Sequence, residues 1–254
     1  MPSCTSRNTM RPAEWVRAGL RNLRHARAWA ADYWYCGRQL ARGAVSVVLR
    51  EDPRSWQEVE GVTRLPVVVL PGIYETWRMM RPVADALRAA GHPVHVVPEV
   101  GLNLAPIRTV AEAVARHVGD ESLERFAIVA HSKGGLVGKA VLLHPAVGDR
   151  VTVLVTVATP FAGSSWALWA PPGSGVRSLT PWARGVRALS REARANARIV
   201  SLVPRWDPHV PDDAHVTGGT NIRLPETGHF APLGSPRVHR VVVAHLAGQG
   251  RGAA

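Results

Sequence analysis

From Leu65 onward the chain alternates short, fully apolar runs with amphipathic stretches, and few architectures accept that alternation. Val67–Leu70, residues 94–97, residues 126–130 and Val151–Val157 are rich in β-branched residues and have almost no polar face. Strands of this kind are buried on both sides, as inside a parallel sheet. Between them, residues 82–90 and 107–118 read as helices closed by Gly91 and Gly119, glycine being the usual residue just past a helix end. Residues 199–203 and 221–224 resume the strand pattern, and residues 238–246 close the chain as a helix or a strand. Strand, helix, strand, helix with short connections predicts an α/β domain: a mostly parallel central sheet with helices on both faces.

Within that pattern, residues 126–138 read Phe-Ala-Ile-Val-Ala-His-Ser-Lys-Gly-Gly-Leu-Val-Gly. An apolar strand runs into Ser132 and then into a helix, with the small residues Ala130 and Gly134 two positions to either side. A tight strand-to-helix turn that exposes a serine needs small flanks. An ordinary turn would also accept a serine before two glycines, so the other strand ends must decide. A serine hydroxyl becomes a nucleophile only with a base, and the base needs an orienting carboxylate. In a parallel sheet such groups gather at the carboxyl ends of the strands. Asp207 follows the strand at 199–203, and His229 follows the strand at 221–224. Asp212, Asp213 and Glu226 are rival carboxylates, and His209, His215 and His245 are rival bases. His131, adjacent to the serine, reads as structural. Attack on a carbonyl also needs N–H donors for the oxyanion. The main chain of Lys133, after the serine, supplies one, and Ile73 in the loop Leu70-Pro71-Gly72-Ile73-Tyr74-Glu75 supplies the other.

The order Ser132, Asp207, His229 and the segments Val67-Val-Val-Leu-Pro-Gly-Ile73, Ala130-His-Ser-Lys-Gly-Gly135, Val157-Ala-Thr-Pro160 and Asp207-Pro-His-Val-Pro211 with Gly228-His229 resemble the α/β-hydrolase superfamily, and within it the compact bacterial lipases and esterases. The resemblance spans residues 65–246. It implies a serine hydrolase of carboxylic esters with Ser132 as nucleophile, Asp207 and His229 completing a triad, Ile73 and Lys133 as oxyanion donors, and no metal or organic cofactor. Departures are Ala130 for glycine, Pro71 for histidine, and Lys133 for an apolar residue. Lys133 would bring positive charge to the pocket. The apolar segment 160–198 reads as a cap, and Tyr74, Phe161, Trp166 and Trp169 are expected to line a hydrophobic acyl site. The same machinery would serve a thioesterase, amidase or acyltransferase. A hydrolase-like protein that only binds a lipid or a partner is the alternative from another class.

Residues 1–60 read as a basic helical extension on a domain spanning 61–254. Residues 11–42 have helical periodicity with aromatic and arginine-rich faces, and residues 44–49 read as a short strand. Nine arginines lie in residues 1–50 against Glu14 and Asp32, which is over half of the net charge of +12. A basic amphipathic helix with tryptophans predicts peripheral contact with an anionic membrane; packing onto the domain is the plainer expectation. No recognisable nucleic-acid module accompanies the charge, so a nucleic-acid partner is not expected. The expected partner is a small ester or lipid. No apolar run reaches the length of a membrane span, no secretory leader is recognisable, and Cys4 and Cys36 make no disulfide framework. These features predict a cytoplasmic, at most membrane-peripheral, protein.

Overall fold

The computed structural model describes residues 25–59, 63–212 and 214–248. Among them six strands form one sheet: β1 (Val67–Leu70), β2 (Val94–Val96), β3 (Phe126–His131), β4 (Val151–Val157), β5 (Ile199–Trp206) and β6 (Thr220–Thr227). Their order is β2-β1-β3-β4-β5-β6, and every neighbouring pair is parallel. The helices are α1 (Ala26–Val48), α2 (Arg81–Ala89), α3 (Ile107–Asp120), α4 (Lys133–Leu142), α5 (Arg184–Arg191) and α6 (Pro236–Ala247).

The apolar strand runs follow from burial of the sheet on both faces. Val68, Leu70, Ile128 and Leu154 share one cluster with Val110, Val114, Leu136 and Val137 of α3 and α4. The alternate residues Val67, Val69, Ala127, Val129 and Val155 turn the other way, onto Val83, Leu87, Val238 and Val242 of α2 and α6. Successive strand side chains point to opposite faces, so a strand sandwiched between helices must be apolar throughout. Each fully buried Val, Leu or Ile contributes roughly 1.5–3 kcal/mol. That packing, more than helix propensity, holds the helices in place.

The sheet order also creates the crevice. From β1 the chain moves outward to β2, then returns to form β3 on the other side of β1. Loops leaving β1 and β3 therefore diverge, and a cleft opens at their carboxyl ends. The Pro71–Glu75 loop and the Ser132 turn border that cleft.

Several sequence expectations shift. Residues 44–49 are no strand: they complete helix α1, which runs unbroken to Val48. The Val-rich run misled because no breaker separates it from the helical residues before it, and Ser46 falls on the same buried stripe as Asp32 and Gln39. The part of the expected N-terminal helix before His25 lies outside the described residues. Helix α3 passes through Gly119 to Asp120. The helix expected over 183–197 stops at Arg191, and Asn196 instead bonds the Thr217 carbonyl. Two short 3-10 turns, Ser165–Trp169 and Gly175–Leu179, make up much of the segment before it. The closing element is helical, α6.

Helix α1 is seated by apolar and polar contacts together: Tyr35 and Cys36 pack against the core on the α2 and α6 side, and Tyr33 meets the Phe230 ring. The buried stripe of the helix is Asp32, Gln39 and Ser46; Gln39 donates to the Tyr35 hydroxyl, and Arg78 donates to Ser46 Oγ. Trp34 and Val48 on its outer side are 70% and 80% exposed. Among the described residues no helix is long and apolar enough to cross a membrane.

Gly134, at the start of α4, lies against the Leu70 and Pro71 carbonyl oxygens, where an added methyl would collide with backbone. Gly134→Ala is expected to lower unfolding free energy by about 1–3 kcal/mol. Gly119→Ala, in open space on α3, should instead gain up to ~1 kcal/mol. Urea denaturation of both variants checks the contrast.

Candidate active site

Ser132 sits between β3 and α4 at φ 51° and ψ −123°. A side-chain-bearing residue held there costs on the order of 1–3 kcal/mol, so its neighbours must impose the conformation. The Ser132 N–H donates to the Val157 carbonyl at 3.0 Å. Its own carbonyl accepts from the Gly135 N–H at 3.0 Å and from Thr159 Oγ1 at 2.9 Å. Gly134 presses on the end of β1 and Gly135 on the Thr159 side chain, and neither has room for a Cβ. Ala130, in place of the more usual glycine, is fully buried in β3 between Leu70 and Thr156. Its methyl belongs to the core.

The other two predicted residues converge on this turn. Asp207 follows β5 directly, and its Oδ1 accepts from the N–H groups of His209 and Val210 at 2.8 and 3.0 Å. Its Oδ2 lies 2.8 Å from His229 Nδ1, and His229 Nε2 lies 3.0 Å from Ser132 Oγ. All three residues are buried. The rivals lie elsewhere. Asp212 accepts from the Ser165 N–H, Glu226 accepts from Ser235 Oγ, and His245 faces the Val241 carbonyl of its own helix. His215 is exposed, and Asp213 is outside the described residues. His209 packs beside the site, its ring 4.7 Å from that of His229, with Nε2 2.8 Å from the Tyr33 hydroxyl.

Removal from water sets the protonation states. Burial, reinforced by the neighbouring His131, holds His229 below the ordinary imidazole value of 6.5. Burial likewise raises the Asp207 carboxyl. Burial first, and His229 second, push His209 down to about 3, so it is neutral. With Nδ1–H directed at Asp207, the free lone pair of His229 on Nε2 faces the serine hydroxyl. This arrangement can take the serine proton as oxygen attacks an electrophile.

The loop after β1 faces the same cleft. The Gly72 N–H donates to Glu75 Oε2 at 2.8 Å, and the Tyr74 N–H donates to the Leu102 carbonyl at 2.8 Å. Ile73 lies between these two engaged amides. Lys133 opens α4, so its N–H is one of those without an acceptor inside the helix. The Lys133 side chain corrects an expectation. It does not offer a free charge to a pocket: it is fully buried and donates to the Asn103 and Ala105 carbonyls at 2.6 and 2.7 Å. Burial lowers it to about 8. It ties the loop after β2 to the serine turn.

Of the expected pocket residues, Trp166 lies nearest the chemistry, its ring 4.5 Å from that of His209. Phe161 is built into the core, Tyr74 is half exposed at φ 60°, and Trp169 projects outward. Among the described residues no group of three His, Cys, Asp or Glu side chains could hold a metal ion.

Two buried carboxylates escaped sequence reasoning. Asp32 of α1 accepts from the His229 N–H at 2.9 Å through Oδ2, and from the Phe230 and Ala231 N–H groups at 2.8 and 2.7 Å through Oδ1. Gly228, at φ 105°, has no room for a side chain against that carboxylate. Glu75 meets His131, whose other ring nitrogen faces the His229 carbonyl. One signal was present: Asp32 is the sole acid in the arginine-bearing stretch Ala26–Val48.

No family model matches the sequence, and no curated protein matches it significantly. The fold, however, has many solved counterparts. A lipase of Bacillus licheniformis, BlEst2 in its mature form, superposes with a TM-score of 0.60 at 16% identity, over 74% of this chain and 95% of that one. Lipase B of Aspergillus fumigatus gives 0.61 at 17% identity, over 77% of this chain and 57% of that one. A thermophilic esterase of Thermogutta terrifontis gives 0.51 at 18% identity, over 74% and 91%. The fold is that of the α/β-hydrolases.

Asp32→Ala would leave one buried and two partly buried N–H groups of the His229 loop without their acceptor. An unfolding free energy lower by at least ~1–3 kcal/mol is expected, with Asp32→Asn, which keeps one acceptor oxygen, between it and the native chain. Chemical denaturation checks both.

Proposed function

We propose that the protein is a serine hydrolase of carboxylic esters with an apolar acyl group. The observation that carries this reading is the unbroken run Ser132 Oγ–His229 Nε2 at 3.0 Å and His229 Nδ1–Asp207 Oδ2 at 2.8 Å, on a serine held in strained backbone at the switch point of the sheet. A turn with no chemical duty has no reason to keep that strain. The lipases and esterases named above support ester hydrolysis in general.

In this reading His229 removes the Ser132 proton as Oγ attacks the ester carbonyl carbon. Asp207 holds the imidazole in register and stabilises its cation. The carbonyl oxygen, now an anion, points at the Ile73 and Lys133 N–H groups. When the tetrahedral centre collapses, His229 gives its proton to the departing alcohol oxygen and an acyl-serine remains. His229 then takes a proton from water as its oxygen attacks the acyl carbon. When this second tetrahedral centre collapses, the bond to Ser132 Oγ breaks, His229 returns the proton to Oγ, and the acid leaves. Trp166 and the exposed Leu102 and Leu104 near the engaged loop offer apolar surface to the acyl chain.

A fluorophosphonate probe and a series of p-nitrophenyl esters from short to long chain test the assignment. Labelling and turnover are expected in the native protein, with loss of ~10⁴-fold or more in turnover for Ser132→Ala. Labelling without ester turnover would move the reading to another acyl transfer. Neither signal, in folded protein, would overturn it.

Helix α1 supports a second element of this proposal, peripheral docking on anionic lipid. Its outer surface carries Trp34, Leu40, Val45 and Val48 beside Arg27, Arg38 and Arg42, while its one acid faces inward. Aromatic and cationic side chains of this kind suit a negatively charged lipid surface. Co-sedimentation with phosphatidylserine vesicles, lost at high salt and in Trp34→Ser/Val48→Ser, is expected. Equal binding to neutral vesicles, or none to either, would remove this element.

A further inference from the structure

His131 is fully buried in β3, one residue before the serine, and the mechanism above gives it no task. Both of its ring nitrogens face acceptors. Nδ1 lies 2.8 and 2.9 Å from the two Glu75 oxygens, and Nε2 lies 3.0 Å from the main-chain oxygen of His229. A carbonyl oxygen has no proton to give, so Nε2 must carry one. A second proton must lie between Nδ1 and Glu75, since otherwise a lone pair would face a carboxylate. Glu75 Oε2 also accepts from the Gly72 N–H at 2.8 Å, so the Glu75 oxygens act as acceptors toward both neighbours. The pair is therefore imidazolium and carboxylate.

Its connections join both halves of the site. Glu75 holds Gly72, the residue before Ile73, and His131 holds the carbonyl of His229, whose N–H is held by Asp32. Building on the hydrolase reading above, we propose that Glu75 and His131 are positioning residues. Together they fix the oxyanion loop and the base loop in one register, and loss of the shared proton at high pH ends that grip and sets the alkaline limb of activity. The titratable groups around the pair come from four elements. Tyr35 and Cys36 of α1 lie beside Glu75, and Asp32 of α1 reaches the pair through His229. Glu75 itself follows β1, Asp207 and His209 follow β5, and His229 follows β6. Burial alone would lower His131, but the Glu75 charge and hydrogen bond outweigh it and raise the group above its ordinary value. The pair therefore keeps its proton at neutral pH and surrenders it as pH rises through that raised value.

The test compares kcat and KM across pH for the native protein, Glu75→Gln and His131→Gln, using the p-nitrophenyl ester best cleaved. Glu75→Gln cannot stabilise an imidazolium. A ~10- to 100-fold loss of kcat is expected, with KM nearly unchanged and the alkaline limb moved to lower pH. His131→Gln keeps a donor for the His229 carbonyl but nothing that titrates, so its alkaline limb should flatten. NMR of histidine-labelled Ser132→Ala, with the His131 signal assigned by its loss in the double variant, should show an imidazolium at neutral pH whatever the turnover. A neutral ring there, or an alkaline limb identical in all three proteins, would overturn the proposal. So would a limb that stays put in Glu75→Gln and disappears in Lys133→Met, because it would then belong to the buried Lys133. Native protein that neither labels nor turns over would instead remove the hydrolase reading, and the proposal with it.

Discussion

The close approach of helix α4 to the end of β1 is the contact on which the rest of this site depends. Gly134 sits on the Leu70 and Pro71 carbonyls, and Gly135 sits on Thr159 at the end of β4. These contacts pull the helix start down onto the sheet, and the only path left for the chain between β3 and α4 is a left-handed turn. Ser132 takes that turn at a cost on the order of 1–3 kcal/mol. Its hydroxyl consequently stands clear of the helix, within reach of His229. A looser helix would relieve the strain and lose the geometry.

Every buried carboxylate among the described residues, Asp32, Glu75 and Asp207, gathers at this same end of the sheet. Between the helices, the two core clusters are apolar. At the carboxyl ends of the strands, Asp32, Glu75, His131, Asp207 and His229 are all buried and linked to one another by hydrogen bonds through His131 and His229. Buried charges rarely add net stability, because desolvation opposes their mutual attraction. Here each finds partners: Asp32 takes three main-chain N–H groups, Asp207 takes two, and Glu75 takes one besides His131. These directional bonds fix the loops after β1, β5 and β6 relative to one another.

How much of this was legible follows from the range of the interactions. Continuous apolar runs and glycine-marked turns are local, so the strands and most helix positions could be read directly. Ser132, Asp207 and His229 could be found because each must sit at a strand end, and strand ends are visible in sequence. Asp32 could not be found that way. Its partners lie 197 to 199 residues away, and in the sequence it is one acid in an arginine-rich helix. Glu75 was visible as a loop residue, but nothing local said that it would turn inward beneath His131. The Lys133 side chain was misjudged for the same reason, since its carbonyl partners belong to the loop after β2. Residues 44–49 failed through ambiguity: a short β-branched run at a helix end carries the composition of a strand.

The position of Asp32 changes what helix α1 is. An extension added to a complete domain would be expected to attach by burying apolar residues, leaving the domain's own loops satisfied. Helix α1 does set Tyr35 and Cys36 against the core, but it also buries Asp32, Gln39 and Ser46 and leaves Trp34, Leu40, Val45 and Val48 outside. The His229 loop, for its part, has three N–H groups that no residue of its own sheet accepts. The two sides complete each other: the helix lays Tyr35 and Cys36 on the core and supplies the acceptor that the loop lacks. The His229 loop and helix α1 are therefore held together by three hydrogen bonds, and the position of His229 depends on both.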